Sequence, residues 1–511
     1  LHGKQHSFPT RRSSDLFLRE YLKLDECPEI VEGGDYVNIE ASVHNIVAEK
    51  AELTKLVNLG SLRQVSDQLW QSVNFSKGRL GLKFLRVWSI IPDTVFKGNI
   101  KSSDFYKLDH FLEFCQNEGL IPYLELGDVV EFDENMKSLL CYQIADLYKK
   151  AIDILITRIS AVYSCDLPIY FELQLFDVEE GIPTGLQYFD IYRHLEKRAK
   201  TYFQEAKIGG PGIQLLNYIK KEEEIVVPWI KDGIVPDFFS LKIHPYFKET
   251  NGHMKAIADP DCMKKAVRRL KNVMSKYNMN EVPVHINYFD SFYHNKCPLN
   301  DSLWKASFAM KVYQDCLGYV DLLSCGLLKD MEVPEDMEEQ LLAGANGMLC
   351  RNGSAKPLFG LLRAFRGFGN QIIHSTPGCI ISKVSNQMFK GVIYNYRHLN
   401  FLFYANGKTD FSQKDMEMYL AEADNKTFHI KIDGMENGTY QISRYIFTKD
   451  RGSILDAWIQ RGSYLGPIHS HWLDLFSSPD VMIESVEVID GKLEIEYVLK
   501  PLEFMSIEIK V

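Results

Sequence analysis

No two of the ten cysteines in this 511-residue chain stand in a Cys-x-x-Cys pair; they are scattered at positions 27, 115, 141, 165, 262, 297, 316, 325, 350 and 379. That scatter suits reduced thiols in a large core better than a disulfide framework or a zinc site. No apolar run approaches the roughly 18 residues of a membrane-spanning helix. No block of Lys and Arg stands out either, and 58 basic against 68 acidic side chains leave a net charge of −10. Neither a membrane nor a nucleic acid is therefore expected as a partner of this chain, and the expectation is a soluble, cytoplasmic protein. A Gly-rich phosphate loop, a His-Glu-x-x-His helix and a Ser-nucleophile elbow are all missing, so no cofactor and no metal is expected. Gly209-Gly210-Pro211-Gly212 is a weak phosphate signal that fits a strand better. Internal repeats and low-complexity tracts are also absent.

What is present is ordinary globular material, with 46% hydrophobic, 12% aromatic and 25% charged residues. The length suits about three average domains, or one barrel of about 250 residues with a companion. The stretch His6 to Leu16 has no periodicity and resembles a translated sequencing adapter, so residues 1–16 are read as a non-native extension. Residues 17–51 are read as an N-terminal segment packing on a C-terminal β-domain. From 52 to 372, short apolar runs alternate with longer helical patterns. The runs are Leu56 to Leu59, Phe84 to Trp88, Ile121 to Leu126, Ile169 to Leu175, Lys207 to Gly210, Phe238 to His244, Val282 to Ile286 and Asp321 to Cys325. Between two of them, Leu108, Phe111, Leu112 and Cys115 recur at helical spacing, and Asn117-Glu118-Gly119 ends that helix. Eight strand–helix alternations point to a (β/α)8 TIM barrel, although a doubly wound sheet alternates in the same way.

Residues 373–511 change texture to period-two alternation with Asn-Gly and Asp-Gly turns at Asn406-Gly407, Asp433-Gly434 and Asp490-Gly491. Strands are expected at Val392 to Tyr394, Leu399 to Tyr404, Phe428 to Ile432, Thr439 to Arg444, Val486 to Val488, Leu493 to Tyr497 and Met505 to Val511, with a helix near Ser453 to Arg461. This pattern predicts an antiparallel β-sandwich.

Several segments, in this order, resemble glycoside hydrolase family 39, the β-xylosidase-like retaining glycosidases. They are Leu82 to Trp88, Ile121 to Gly127, Ile208-Gly209-Gly210-Pro211, Asp237 to Tyr246 with its His244-Pro245-Tyr246 ending, and Asn352 to Pro357. The resemblance implies a pair of glutamates at the ends of the fourth and seventh barrel strands, one as acid/base and one as nucleophile. Aligned on Phe171-Glu172, the acid/base slot falls on Phe176. On His285-Ile286-Asn287-Tyr288, the nucleophile slot falls on Tyr288. A tryptophan that floors the sugar site in the family falls on Gly326.

Phenylalanine has no proton to give, so the resemblance implies a glycosidase scaffold without its usual mechanism. Possible substitutes are Asp177, Glu179 and the adjacent Glu180 near the first slot and Asp290 near the second, if a bulge turned them inward. Tyr288 is itself a possible nucleophile if a neighbouring base ionised it. Candidate carbohydrate-binding residues are Trp88, Glu125, Glu172, His244 and Tyr246, with Glu172 also expected to pair with Arg86 inside the barrel. The leading expectation is a non-catalytic family member that binds or senses carbohydrate, such as a xylose-containing glycan, or serves as an interaction scaffold. The alternatives are an active β-glycosidase using relocated carboxylates, and the effector part of a transcription regulator. The sequence leaves the oligomeric state open.

Overall fold

The computed structural model describes residues 36–49, 53–127, 141–174, 186–249, 253–293, 296–331, 341–406, 411–460, 462 and 477–511. Eight parallel strands lie side by side in sequence order: Leu56–Ser61, Phe84–Trp88, Ile121–Leu126, Ile169–Leu173, Ala206–Gln214, Phe238–Ile243, Val284–Phe289 and Leu322–Cys325. The eighth returns to the first through Leu323 N, which donates to Leu53 O at 2.8 Å. The doubly wound alternative is thereby excluded, because its strand order reverses at a switch point. The strands read as apolar runs because a parallel sheet covered by helices is buried on its outer face while the interior is filled by side chains.

The helix read from Leu108, Phe111, Leu112 and Cys115 spans Tyr106–Glu118, and those four residues form its buried face. Gly119 ends it in the left-handed region at φ 63°, with its N–H bonded to the Cys115 and Gln116 carbonyls.

The lower interior of the barrel is apolar: Leu56, Phe84, Tyr123, Phe238 and Leu322 form a cluster of their own. His285 stacks on Phe238 there at 4.4 Å between ring centroids. Its Nδ1 lies 3.4 Å from the Tyr123 hydroxyl.

Besides two short two-stranded pairs, Tyr246–Lys248 with Met254–Ala256 and Leu327–Lys329 with Gly347–Leu349, the remaining described strands form two larger sheets. A seven-stranded one runs in the order Ala48–Glu49, Gln371–Thr376, Cys379–Ser385, Met388–Tyr394, Phe504–Lys510, Gly438–Phe447 and Asp480–Val488, with every pairing antiparallel. A three-stranded one joins Tyr36–Ser42, in parallel, to Lys426–Asp433 and then, antiparallel, to Lys492–Leu499. The sheets bury a shared core that includes Ile39, Phe428, Ile430, Tyr440, Ile495 and Ile507. Residues from the N-terminal segment thus supply a strand to each sheet. Asp490 and Gly491, both at positive φ, make the turn before Lys492–Leu499, as an Asp-Gly pair favours.

One expected strand is a helix. The run Leu399 to Tyr404 folds as Phe401–Asn406, because Asn400 Oδ1 accepts from Leu402 N at 3.0 Å and Phe403 N at 3.4 Å. A side-chain cap of that kind starts a helix, and Phe403 then buries against Phe292 and Tyr419. The helix expected near Ser453 is present as Ile454–Gln460. Strands Gln371–Thr376 and Cys379–Ser385 carry apolar pairs that period-two reading does not single out.

The segment Asn352 to Pro357 places Lys356 between Asp301 (2.6 Å) and Asp330 (2.7 Å), with all three side chains almost wholly buried. It anchors the approach to the last barrel helix, Pro357–Arg366.

Burial in the barrel floor lowers the His285 pKa to about 3, below the ordinary 6.5. The unfolded chain therefore binds a proton that the folded chain refuses between those values. The stabilisation is complete above pH 6.5 and declines as pH falls from there towards about 3. Urea titrations at pH 7 and pH 5 should show the native protein losing about 2 kcal/mol more than His285→Phe. Equal losses would contradict the assignment.

Candidate functional site

Period-two alternation that puts apolar side chains behind the barrel wall also stacks polar ones inside it. Above the aromatic floor, Asn58, Arg86, Glu125, Glu172 and Asn287 meet from the first, second, third, fourth and seventh strands. Arg86, 1% exposed, donates from Nε to Glu172 Oε2 at 2.9 Å, from Nη1 to Asn58 Oδ1 at 3.1 Å, and from Nη2 to Glu125 Oε2. Asn287 Nδ2 donates to the other oxygen of Glu172. Asn58 Nδ2 reaches Asn287 O at 2.9 Å, and Ser324 Oγ and Gly326 O at 3.0 Å.

A buried guanidinium is tolerated only when its fork is matched, and here two carboxylates and an amide oxygen match it. Lys242, on the sixth strand, stands 3.9 Å from Glu125 Oε1. With its amide turned to satisfy both neighbours, Gln174 links this pair, donating to Glu125 Oε1 at 2.5 Å and accepting from Lys242 at 3.0 Å. Two carboxylates thus face two cations.

The seventh strand is bulged. Its register shifts between Ile286 and Tyr288 against the sixth strand, and between Ile286 and Phe289 against the eighth. A bulge breaks strict alternation. Asn287 accordingly reaches Glu172 in the interior, the next residue, Tyr288, meets the mouth, and Phe289 packs edge-on against Tyr313 in the core.

The Tyr288 ring meets Trp88 at 6.5 Å and His244 at 5.5 Å between centroids. Its hydroxyl accepts from Asn346 Nδ2 and donates to Asp290 Oδ2 at 3.4 Å. Asp290, 2% exposed, pairs through Oδ1 with the Lys305 ammonium and accepts from Ser291 N at 2.7 Å. Its Oδ2 accepts from Asn346 at 3.0 Å. Burial pushes the Asp290 carboxyl up, but Lys305, with help from Asn346, outweighs burial and holds it below the usual aspartate value.

Beside Tyr288, burial lowers the His244 pKa to about 4, which makes the imidazole neutral near pH 7. Its Nδ1 and the buried Tyr246 hydroxyl have no hydrogen-bond partner among the described residues.

Trp88, His244 and Tyr288 therefore meet at the mouth, whereas Glu125 and Glu172 are drawn beneath it by Arg86. Phe176, Asp177, Glu179 and Glu180 lie outside the described residues, which on the fourth strand end at Gln174. Gly326 sits at φ 51°, and a Cβ there would stand 2.3 Å from Asn346 O, so this backbone has no room for an aromatic side chain at that position. Gly209, Gly210 and Pro211 lie within the fifth strand, where a Cβ on Gly210 would meet the Tyr188 hydroxyl at 2.1 Å.

Sequence reasoning missed Lys305 and Asn346. Lys305 had a readable signal, a cation set among apolar residues in the first turn of the helix Leu303–Cys316, whereas Asn346 had none. Eight cysteines are free thiols in the described residues, and all but Cys165 are buried. Among the described residues, no group of three or more His, Cys, Asp or Glu could hold a metal, and no helix is long and apolar enough to cross a membrane.

Comparison with known proteins agrees with this architecture. The chain is 21% identical over 339 residues to a beta-xylosidase of Geobacillus stearothermophilus, a match covering 63% of this chain and 61% of the relative's length. The GH39 enzyme from Xanthomonas axonopodis pv. citri superposes with a TM-score of 0.75 at 17% identity, covering 95% of this chain and 99% of that one. A monomeric beta-xylosidase from Caulobacter crescentus CB15 superposes with a TM-score of 0.76 at 15% identity, over 93% and 99% of the two chains. Those structures share the fold. The family model described as glycosyl hydrolases family 39 matches residues 52–467, which span the whole barrel and much of the β-domain, and the chain belongs to that family.

Proposed function

We propose that this family 39 barrel binds carbohydrate at its mouth without hydrolysing it. Retaining hydrolysis needs two carboxyl groups about 5–5.5 Å apart, one able to exchange a proton and one able to attack. The observation that carries the proposal is the commitment of Asp290 to Lys305. A carboxylate held ionised by a buried ammonium is a poor proton donor, and its low pKa also makes it a weak base for Tyr288. Glu125 and Glu172 are both engaged by Arg86.

Binding has its own support. Trp88, Tyr288 and His244 offer ring surface for the apolar face of a sugar. His244 Nδ1, beside Tyr288 and without a hydrogen-bond partner among the described residues, leaves a hydrogen bond that a sugar hydroxyl could complete. The relative named as a beta-xylosidase makes a xylose-containing glycan the first ligand to try.

Two measurements test this reading. With aryl β-xylosides, the native protein is expected to show no turnover above that of Asp290→Asn; turnover that vanishes in Asp290→Asn or Asp177→Asn would establish relocated carboxylates instead. In a thermal-shift titration with xylo-oligosaccharides, ligand should raise the melting temperature, and Trp88→Ala should weaken binding about tenfold through loss of one stacked ring. An unchanged affinity in Trp88→Ala would place the sugar elsewhere.

A further inference from the structure

A cleft of about 550 Å³ lies between the last barrel helix, Pro357–Arg366, and the seven-stranded sheet. Helix and sheet come together there through glycines. A Cβ on Gly360 would stand 2.4 Å from the Phe447 ring, and one on Gly367 would stand 2.3 Å from Lys390 Nζ.

The cleft is strongly cationic. Arg79, Arg363, Arg366 and Lys390 line it against one described carboxylate, Glu508, which is already paired with Lys390 at 2.7 Å and Lys510 at 3.2 Å. Among the described residues Arg79 bonds only to the neutral Phe75 carbonyl, at 2.8 Å, and its guanidinium lies 3.9 Å above the Phe75 ring. Neither it nor Arg363 nor Arg366 has a carboxylate partner among the described residues. Arg363 and Arg366 are three residues apart on one helix and so share a face.

The same cleft exposes large rings: Phe75 is 39% exposed and Tyr445 36%. Phe75 is held in place by stacking on Phe359 at 5.6 Å. Guanidinium forks match planar carboxylates in bidentate fashion, and exposed rings accept the C–H face of a sugar. A bare phosphate would use the cations and leave the rings idle.

We propose that this cleft is a second carbohydrate site, selective for oligosaccharides that carry carboxylate groups. It is separate from the mouth and does not depend on the reading given to it.

The test is calorimetric titration of the full chain with three probes: a xylo-oligosaccharide bearing glucuronic acid, its neutral counterpart, and inorganic phosphate. The acidic oligosaccharide should bind more tightly than the neutral one and lose affinity as salt rises. Arg363→Gln with Arg366→Gln should weaken that binding at least about tenfold, and should do so equally in a Trp88→Ala background, where the mouth contributes little. If the double variant melts early, Tyr445→Ala at its exposed position gives the same readout. Equal binding of acidic and neutral probes, phosphate binding as tight as the acidic sugar, or affinity that survives the arginine changes would each overturn the proposal. Failure of the mouth reading is recognised separately, by neutral binding that is indifferent to Trp88→Ala.

Discussion

A carboxylate inside a barrel has to be matched by a cation, and that constraint shapes this molecule. Removing either charge from water has a large penalty, which only a close partner and further hydrogen bonds offset. Arg86 answers Glu125 and Glu172, Lys305 answers Asp290, and Lys356 answers Asp301 and Asp330. The first group ties the second, third and fourth strands together and, through Asn58 and Asn287, reaches the first, seventh and eighth. The interior therefore works as a brace. A glycosidase needs one acidic group released from that bracing, with its pKa tuned to the pH at which it works. The described carboxylates at and beneath the mouth are braced.

The aromatic rim follows from the same arrangement. Because the bulge turns Tyr288 to the mouth, its ring joins Trp88 and His244, and its hydroxyl is held between Asn346 and Asp290. The surface formed is neutral and ringed. The closed backbone contact at Gly326 belongs to the same rim, since Asn346 supplies both the oxygen that blocks a side chain there and the amide that orients Tyr288.

The barrel was legible because its eight strands are buried runs separated by amphipathic helices, and Leu56, Phe84, Ile121, Ile169 and Phe238 each begin one. The failure at Leu399 to Tyr404 has a physical cause: a short run rich in apolar residues fits a strand or a helix equally, and the local cap at Asn400 decides between them. The β-domain was legible where single strands alternate, as in Lys492–Leu499, and less so where paired isoleucines are buried on both sides, Ile372 and Ile380 in the barrel core and Ile373 and Ile381 in the β-domain core. At the site, Arg86 with Glu172 could be inferred because both residues lie on inward positions of barrel strands. Lys305 could be suspected as a cation in an apolar helix, but its pairing with Asp290 could not be read, and Asn346 gave no signal at all, since it reaches Asp290 from a segment 56 residues further along the chain.

Asp290 is a braced charge, held by the Lys305 ammonium. A carbon-13 NMR titration of the aspartate carboxyls, assigned by comparison with Asp290→Asn, reads this directly. Asp290 is expected to titrate below the ordinary aspartate value, in step with its pairing to Lys305. An Asp290 carboxyl that takes up its proton near neutral pH would contradict it, and would return a working acid to the barrel mouth.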